Sequence, residues 1–218
     1  MTKHIRIKSE FTWGTELPEF SQWDVKNEPM LFNCDAAHAR DLGGPITKAF
    51  LGAFEREGRA LKDAVIDTRV HMLMKGWFPC IPGWHHDDVE RTAPGGQPNY
   101  HDPKTRPHHA MALINGAICP TEFALGEAHM PLIEPGKVVY REWHPMVDTL
   151  VENGVLRLES APSNQIIYFN DRTFHQGTRA VADGWRWFGR VTWGSDRKPT
   201  NEVRRQVQVY MDNPMEGW

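Results

Sequence analysis

The sequence predicts an all-β core with flanking helices, a sandwich or barrel, and three observations point there. Short runs rich in branched and aromatic residues recur along the chain, and Gly, Pro or Asn stands between nearly all of them. Sixteen prolines, 18 glycines and nine tryptophans in 218 residues suit short strands on long connections better than a helix bundle. One segment breaks the pattern with helical spacing.

That segment is PITKAFLGAFEREGRALKDAV, residues 45–65. Pro45 stands at a first helical position, and Ile46, Ala49, Phe50, Ala53 and Phe54 recur at three and four. The spacing predicts a helix that lays Phe50 and Phe54 on a sheet. Strand-like runs follow: RVHMLM (69–74), HAMALI (109–114), KVVYREW (137–143), GVLRLES (154–160), NQIIYFN (164–170) and WRWFGRVTW (185–193). HPMVDTLVEN (144–153) reads as a short helix interrupting the series. Residues 91–107 hold four prolines and almost no apolar side chains, the composition of a long functional loop. No repeat or linker divides the chain, so residues 1–218 read as a single domain.

Composition excludes several classes of function. With 40% hydrophobic and 24% charged residues and a net charge of -3, the chain lacks the basic surface a nucleic-acid binder needs. A small-molecule substrate is expected rather than a macromolecule. Cys34, Cys80 and Cys119 are odd in number and never spaced CxxC, which argues for a reduced, cytoplasmic protein without a disulfide framework or zinc ribbon. MTKHIRIKSEF has no apolar signal core and no run reaches 18 apolar residues, so neither a signal peptide nor a membrane span is expected.

Residues 81–88, IPGWHHDD, carry the densest chemistry. Alternate strand residues share a face, so His-x-Asp delivers an imidazole and a carboxylate to one point. The stretch holds two overlapping copies, His85 with Asp87 and His86 with Asp88, which face opposite ways. Periodicity leaves both open. A polar turn with capping acids is the plain reading of such a cluster. A helical histidine-aspartate site is disfavoured by Pro79, Pro82, Gly83 and the neighbouring aromatics.

A distant histidine raises the metal reading. His175 lies in APSNQIIYFNDRTFHQGTRA (161–180), after an apolar strand and a polar bend. Two imidazoles and one carboxylate from separate strands make the facial triad of non-haem Fe(II) oxygenases, which leaves room for a chelating co-substrate and dioxygen. Eleven residues on stands Arg186, which shares a strand face with Phe188, Arg190 and Thr192. A buried guanidinium beside a metal needs an anion, and the distal carboxylate of 2-oxoglutarate is one. Trp185, Trp187 and Trp193 take the opposite face and are expected to pack between sheet and helix.

At these motifs the chain resembles the Fe(II)/2-oxoglutarate-dependent dioxygenase superfamily, whose members share a double-stranded β-helix (jelly-roll) core. Trp84 to Glu90 looks like the WHxDDxE box of its DNA-repair dealkylases, and His175 to Arg186 with GRVTWGSDRKPT (189–200) is similar to the close of taurine dioxygenase-like enzymes. The resemblance is confined to these two regions. It implies His85, Asp87 and His175 as Fe(II) ligands and Arg186 as the 2-oxoglutarate anchor. Arg190 is implied as the holder of an anionic substrate group or, in other branches, of the co-substrate. Thr105 or Thr121 is implied as a helper of the anchor. The implied reaction is hydroxylation of a C–H bond with release of succinate and CO2, since halogenases of the superfamily lack the carboxylate of Asp87. The basic grip of the dealkylases is missing, so nucleic acid is not implied.

Residues 91–107 are expected to form a lid, with Asn99, Tyr100 and His101 as substrate contacts. One of His108 and His109 faces the cavity or packs. Two alternatives stay open on the same fold: a cupin-like Zn, Mn or Ni enzyme without 2-oxoglutarate, and a non-catalytic jelly-roll binding module.

Overall fold

The computed structural model describes residues 3–92, 97–134 and 136–211. In chain order it runs β1 (His4–Ser9), β2 (Phe11–Glu16), α1 (Gln22–Asn27), β3 (Met30–Phe32), α2 (Ala36–Leu42), α3 (Pro45–Arg56), β4 (Val65–Leu73), β5 (His108–Ile114), β6 (Thr121–Pro131), α4 (Val139–Glu152), β7 (Arg157–Ser160), β8 (Gln165–Asn170), β9 (Phe174–Gly177), β10 (Gly184–Trp193) and β11 (Glu202–Arg204). Antiparallel sheets dominate, with a few helices beside them, which makes a β-rich α+β fold. One sheet has the order β2-β8-β5-β10-β4. A second is built on β6, which pairs β1 through its C-terminal half and β7 and β9 through its N-terminal half. A short third sheet joins β3 to β11.

Period two decides what each face of the five-stranded sheet touches. Ile66 and Val70 of β4, Ala110 and Ala112 of β5, Ile166 and Tyr168 of β8 and Trp187 and Val191 of β10 point outward into the largest apolar cluster, under α3. The opposite face carries Met111, Leu113, Ile167 and Phe169, which meet Phe123 of β6 between the two main sheets. In β4 and β10 that inner face is polar: Asp67, Arg69 and His71 stand across from Arg190, Phe188 and Arg186. A third cluster lies beneath β6 and α4, with Ile7, Trp84, Trp143 and Phe174.

The expected helix forms at Pro45, but it ends at Arg56 rather than Val65. Ile46, Phe50, Leu51, Ala53 and Phe54 are buried, and beyond them Glu57 closes the last turn and Gly58, at φ +75, takes the left-handed conformation that ends the run. Phe50 meets Trp187 edge-on at 5.8 Å and Phe54 meets Trp193 at 5.4 Å, so the outward tryptophans pack as expected.

KVVYREW, expected as a strand, is the start of α4, which absorbs the short helix expected at 144–153. Its buried residues Val139, Tyr140, Trp143 and Val147 follow helical spacing across that border. Pro145 sits inside the helix, where it costs one backbone hydrogen bond without ending it. The strand expected at 154–160 begins only at Arg157. No helix among the described residues is long and apolar enough to cross a membrane.

Candidate metal centre

The His85 stretch is fastened before it reaches the candidate site. Gly83 turns the chain at φ +106, a conformation that a side chain would strain. The Trp84 indole N–H then donates to Asp148 of α4 at 2.7 Å, and its backbone N–H donates to His144 Nδ1 at 3.2 Å. His85 next forms an antiparallel bridge with His175 of β9. The His85 N–H donates to the His175 carbonyl at 3.0 Å, and the His175 N–H returns to the His85 carbonyl at 3.2 Å. The backbone pairing alone brings the two rings to 4.5 Å between centroids.

Each ring also has its tautomer set. His85 Nδ1 lies 2.8 Å from the Gly83 carbonyl and His175 Nδ1 lies 2.9 Å from that of Thr173. A carbonyl only accepts, so Nδ1 carries a proton in both, and Nε2 is the ring atom left to face Asp87 and the space between the three residues. Asp87, two residues beyond His85, places Oδ2 3.2 Å from His175 Nε2 and Oδ1 4.0 Å from His85 Nε2. One ligand atom from each of the three residues lies within 4.8 Å of the others. Three donors each about 2.1 Å from one ion, at right angles, stand about 3 Å apart, so a small inward movement closes the set.

The shifted pair points elsewhere. His86 turns its ring into the third cluster, 4.3 Å from Phe174, with Nδ1 2.7 Å from the Tyr100 hydroxyl. Asp88, at φ +52, ends the alternation and pairs with Arg197 at 3.4 Å. Only the first His-x-Asp copy meets His175.

Burial and charge prepare the donors. Burial, reinforced by neighbouring His175, pushes the His85 imidazole down to about 4, so it is neutral at physiological pH. Burial acts to raise Asp87, but Arg190 and His175 outweigh it and hold the carboxylate well below its usual range. Arg190 bonds Asp87 and also lies 3.5 Å from Asp67 and 3.6 Å from Asp88. Arg197 completes this network on Asp67 at 3.0 Å.

Arg186 is in a different position. It is 2% exposed, donates from Nη2 to Thr121 Oγ1 at 2.9 Å, and leaves Nε without a partner among the described residues. The nearby thiols of Cys80, pushed up to about 11 by burial, and Cys119, raised likewise, are neutral and supply no charge. Arg186 faces a cavity of about 140 Å³ beside the triad, walled by Met111, Phe169 and Phe188. A wider chamber of about 380 Å³ shares Arg69, His71, His85 and Asp87 with it and reaches the 204–210 segment.

Other expected residues separate cleanly. Of the two threonines, Thr121 meets Arg186, whereas half-buried Thr105 does not line the cavity. Tyr100 is not a cavity residue: it is buried on His86, while Asn99 closes a local turn with Asp102 and His101 is exposed. Part of the expected lid, 93–96, lies outside the described residues. His109 faces inward, bonded to Thr192 at 3.0 Å, while His108 stacks on Trp193. Asp67, Arg69 and His71 were missed as site residues, although their alternation in VIDTRVHML was visible.

No family model and no curated protein matches the chain. Among solved structures, HygX from Streptomyces hygroscopicus aligns over 89% of this chain and 83% of its own, with 16% identity and a TM-score of 0.42. It has been crystallised apo, with iron, and with nickel and 2-oxoglutarate. EvdO2 from Micromonospora carbonacea var. aurantiaca, complexed with 2-oxoglutarate, aligns over 82% of this chain and 71% of its own, with 11% identity and a TM-score of 0.41. At that distance the residues of the site itself carry its interpretation.

Proposed function

We propose that the chain is a non-haem Fe(II) and 2-oxoglutarate-dependent dioxygenase, a single domain on a double-stranded β-helix, that hydroxylates a C–H bond of a small molecule. The observation that carries this is the buried Arg186, paired among the described residues only to Thr121 and open to a cavity that also borders His85, Asp87 and His175. A buried guanidinium without an acid is costly unless a ligand brings one. A metal site that used no dicarboxylate would leave that cost unmet, which disfavours the cupin-like alternative.

In this reading His85 Nε2, Asp87 and His175 Nε2 hold Fe(II). Arg186 and Thr121 take the distal carboxylate of 2-oxoglutarate. Arg190, already held by three acids, orients Asp87 rather than binding the co-substrate. When bound, the iron with 2-oxoglutarate and O2 places one oxygen atom in the substrate and the other in succinate, with release of CO2. The protein's contribution is orientation and exclusion of water. Met111, Phe169 and Phe188 give the cavity one apolar side, and the Nδ1 hydrogen bonds keep both imidazoles aimed.

Anaerobic addition of Fe(II) and 2-oxoglutarate tests this directly. The weak visible charge-transfer band of the chelate is expected in the wild type and lost in His175→Ala. Absence of the band in the wild type, or its persistence in the variant, overturns the reading.

A further inference from the structure

Three arginines border the connected cavities without an acid to match them. Arg190 and Arg197 share Asp67, Asp87 and Asp88. Arg69, Arg186 and Arg204 leave a buried Nε unpartnered, as Arg190 also does, but unlike Arg190 and Arg197 they form no ion pair among the described residues. Asp87 is the one carboxylate lining the wider chamber among the described residues, and Arg190 already holds it. Burial and then the charge of Arg69 disfavour the cationic form of Arg204, and the pull of Asp67 and Glu202 does not make up for them. His71, between these cations, is held neutral by burial and by Arg186 and Arg69, so it adds no counter-charge.

2-Oxoglutarate, on the reading above, satisfies the metal and Arg186 and leaves the other two. Arg69 projects from β4 into the chamber beside His85 and Asp87. Arg204 reaches it from β11, with its guanidinium 4.0 Å over the Phe32 ring, a stack that fixes the plane of the fork. Gln206 and Gln208 add neutral polar groups to the same wall. Two guanidiniums lining one chamber, beside the His85–Asp87–His175 group, form an oxyanion receptor.

We infer that the substrate carries an oxyanion, a carboxylate, sulfonate or phosphate, which Arg69 and Arg204 grip so that the adjoining carbon chain lies over the His85–Asp87–His175 centre. This rests on the dioxygenase reading for the position of the co-substrate, and it names the substrate class of that site. Arg190 has no part in it.

Calorimetry on protein loaded with Ni(II) and 2-oxoglutarate, which does not turn over, tests the inference with butanoate, butanesulfonate, butyl phosphate and neutral butanamide as probes. At least one anion is expected to bind about tenfold or more tightly than butanamide, and the ranking of the three identifies the group. Arg69→Gln and Arg204→Gln are each expected to lose about tenfold of that affinity, with Arg69→Lys recovering part of it. If Arg69→Gln does not fold, Arg204→Gln on the short edge strand carries the test. Butanamide binding as tightly as every anion, or no anion binding to the wild type, overturns the inference. So does a loss of 2-oxoglutarate affinity in Arg69→Gln, which would move Arg69 to the co-substrate. Should the wild type refuse Ni(II) and 2-oxoglutarate yet bind an anion through Arg69, the dioxygenase reading falls and the anion receptor stands.

Discussion

Arg186 of β10 and Thr121 of β6 meet at 2.9 Å across the gap between the two main sheets, and neither bonds a carboxylate there. The pair ties the sheets together through one hydrogen bond and gives the arginine's charge no acid among the described residues.

Arg186→Ala is therefore expected to raise the 2-oxoglutarate concentration that half-saturates the charge-transfer band by about 30-fold or more, since losing one member of a buried charge pair costs about 2 kcal/mol or more. Thr121→Val should give a smaller rise, about fivefold, from loss of one hydrogen bond. An unchanged half-saturation point in Arg186→Ala would reassign the anchor.

His85→Ala and His86→Ala are expected to fail differently. The first should weaken Ni(II) binding by about a hundredfold or more with little change in melting temperature, because its ring lies on the metal side. The second should keep the metal and lose on the order of 2 kcal/mol of stability, because its ring fills the cluster of Phe174, Trp143 and Tyr100. Titrations and urea melts of both variants separate the two roles, and weaker metal binding in His86→Ala alone would refute the assignment.

Acid should destabilise the metal-free protein well before its carboxylates titrate. His71 is pushed down to about 3 and His85 to about 4 when folded, against about 6.5 in an open chain. Above pH 6.5 both are neutral in either state and the difference contributes nothing. Below it the unfolded chain takes up protons that the folded one refuses, so each histidine lowers stability by about 1.4 kcal/mol per pH unit until its folded pKa is reached. A melting temperature that stays flat from pH 7 to pH 5 would contradict this. His71→Leu should reduce the slope.

Gly189 lies under Trp187, and a Cβ there would stand inside van der Waals contact with the indole. Gly189→Ala should displace Trp187 from Phe50 and cost about 1–3 kcal/mol, read from chemical denaturation. The metal titration serves as a control, because the outer face carries no ligand. A neutral effect would mean that the ring has room to move.

Much of the site was legible because strand parity is a strict rule. WRWFGRVTW separates its tryptophans from Arg186 and Arg190 as the alternation requires, and His-x-Asp puts His85 and Asp87 on one side. The choice between His85 and His86 was not legible from periodicity, since it depends on which ring pairs across to His175 and which meets Tyr100, both tertiary facts. KVVYREW misled because a short apolar run fits either period until the buried positions further on are counted. Strands β1 and β6 were missed although Ile5 and Ile7 alternate with polar residues, because so few apolar positions in a six-residue strand make a weak period-two signal. The role of Arg190 was invisible in one dimension: its partners Asp67, Asp87 and Asp88 lie 123, 103 and 102 positions away.

The backbone bridge between His85 and His175 means that the two imidazoles are joined before any ion arrives. Such a socket is assembled by folding rather than by its occupant, so a chelator should strip it reversibly and leave the fold intact. Reloading would then proceed at the pace of ligand exchange, with no refolding step to wait for.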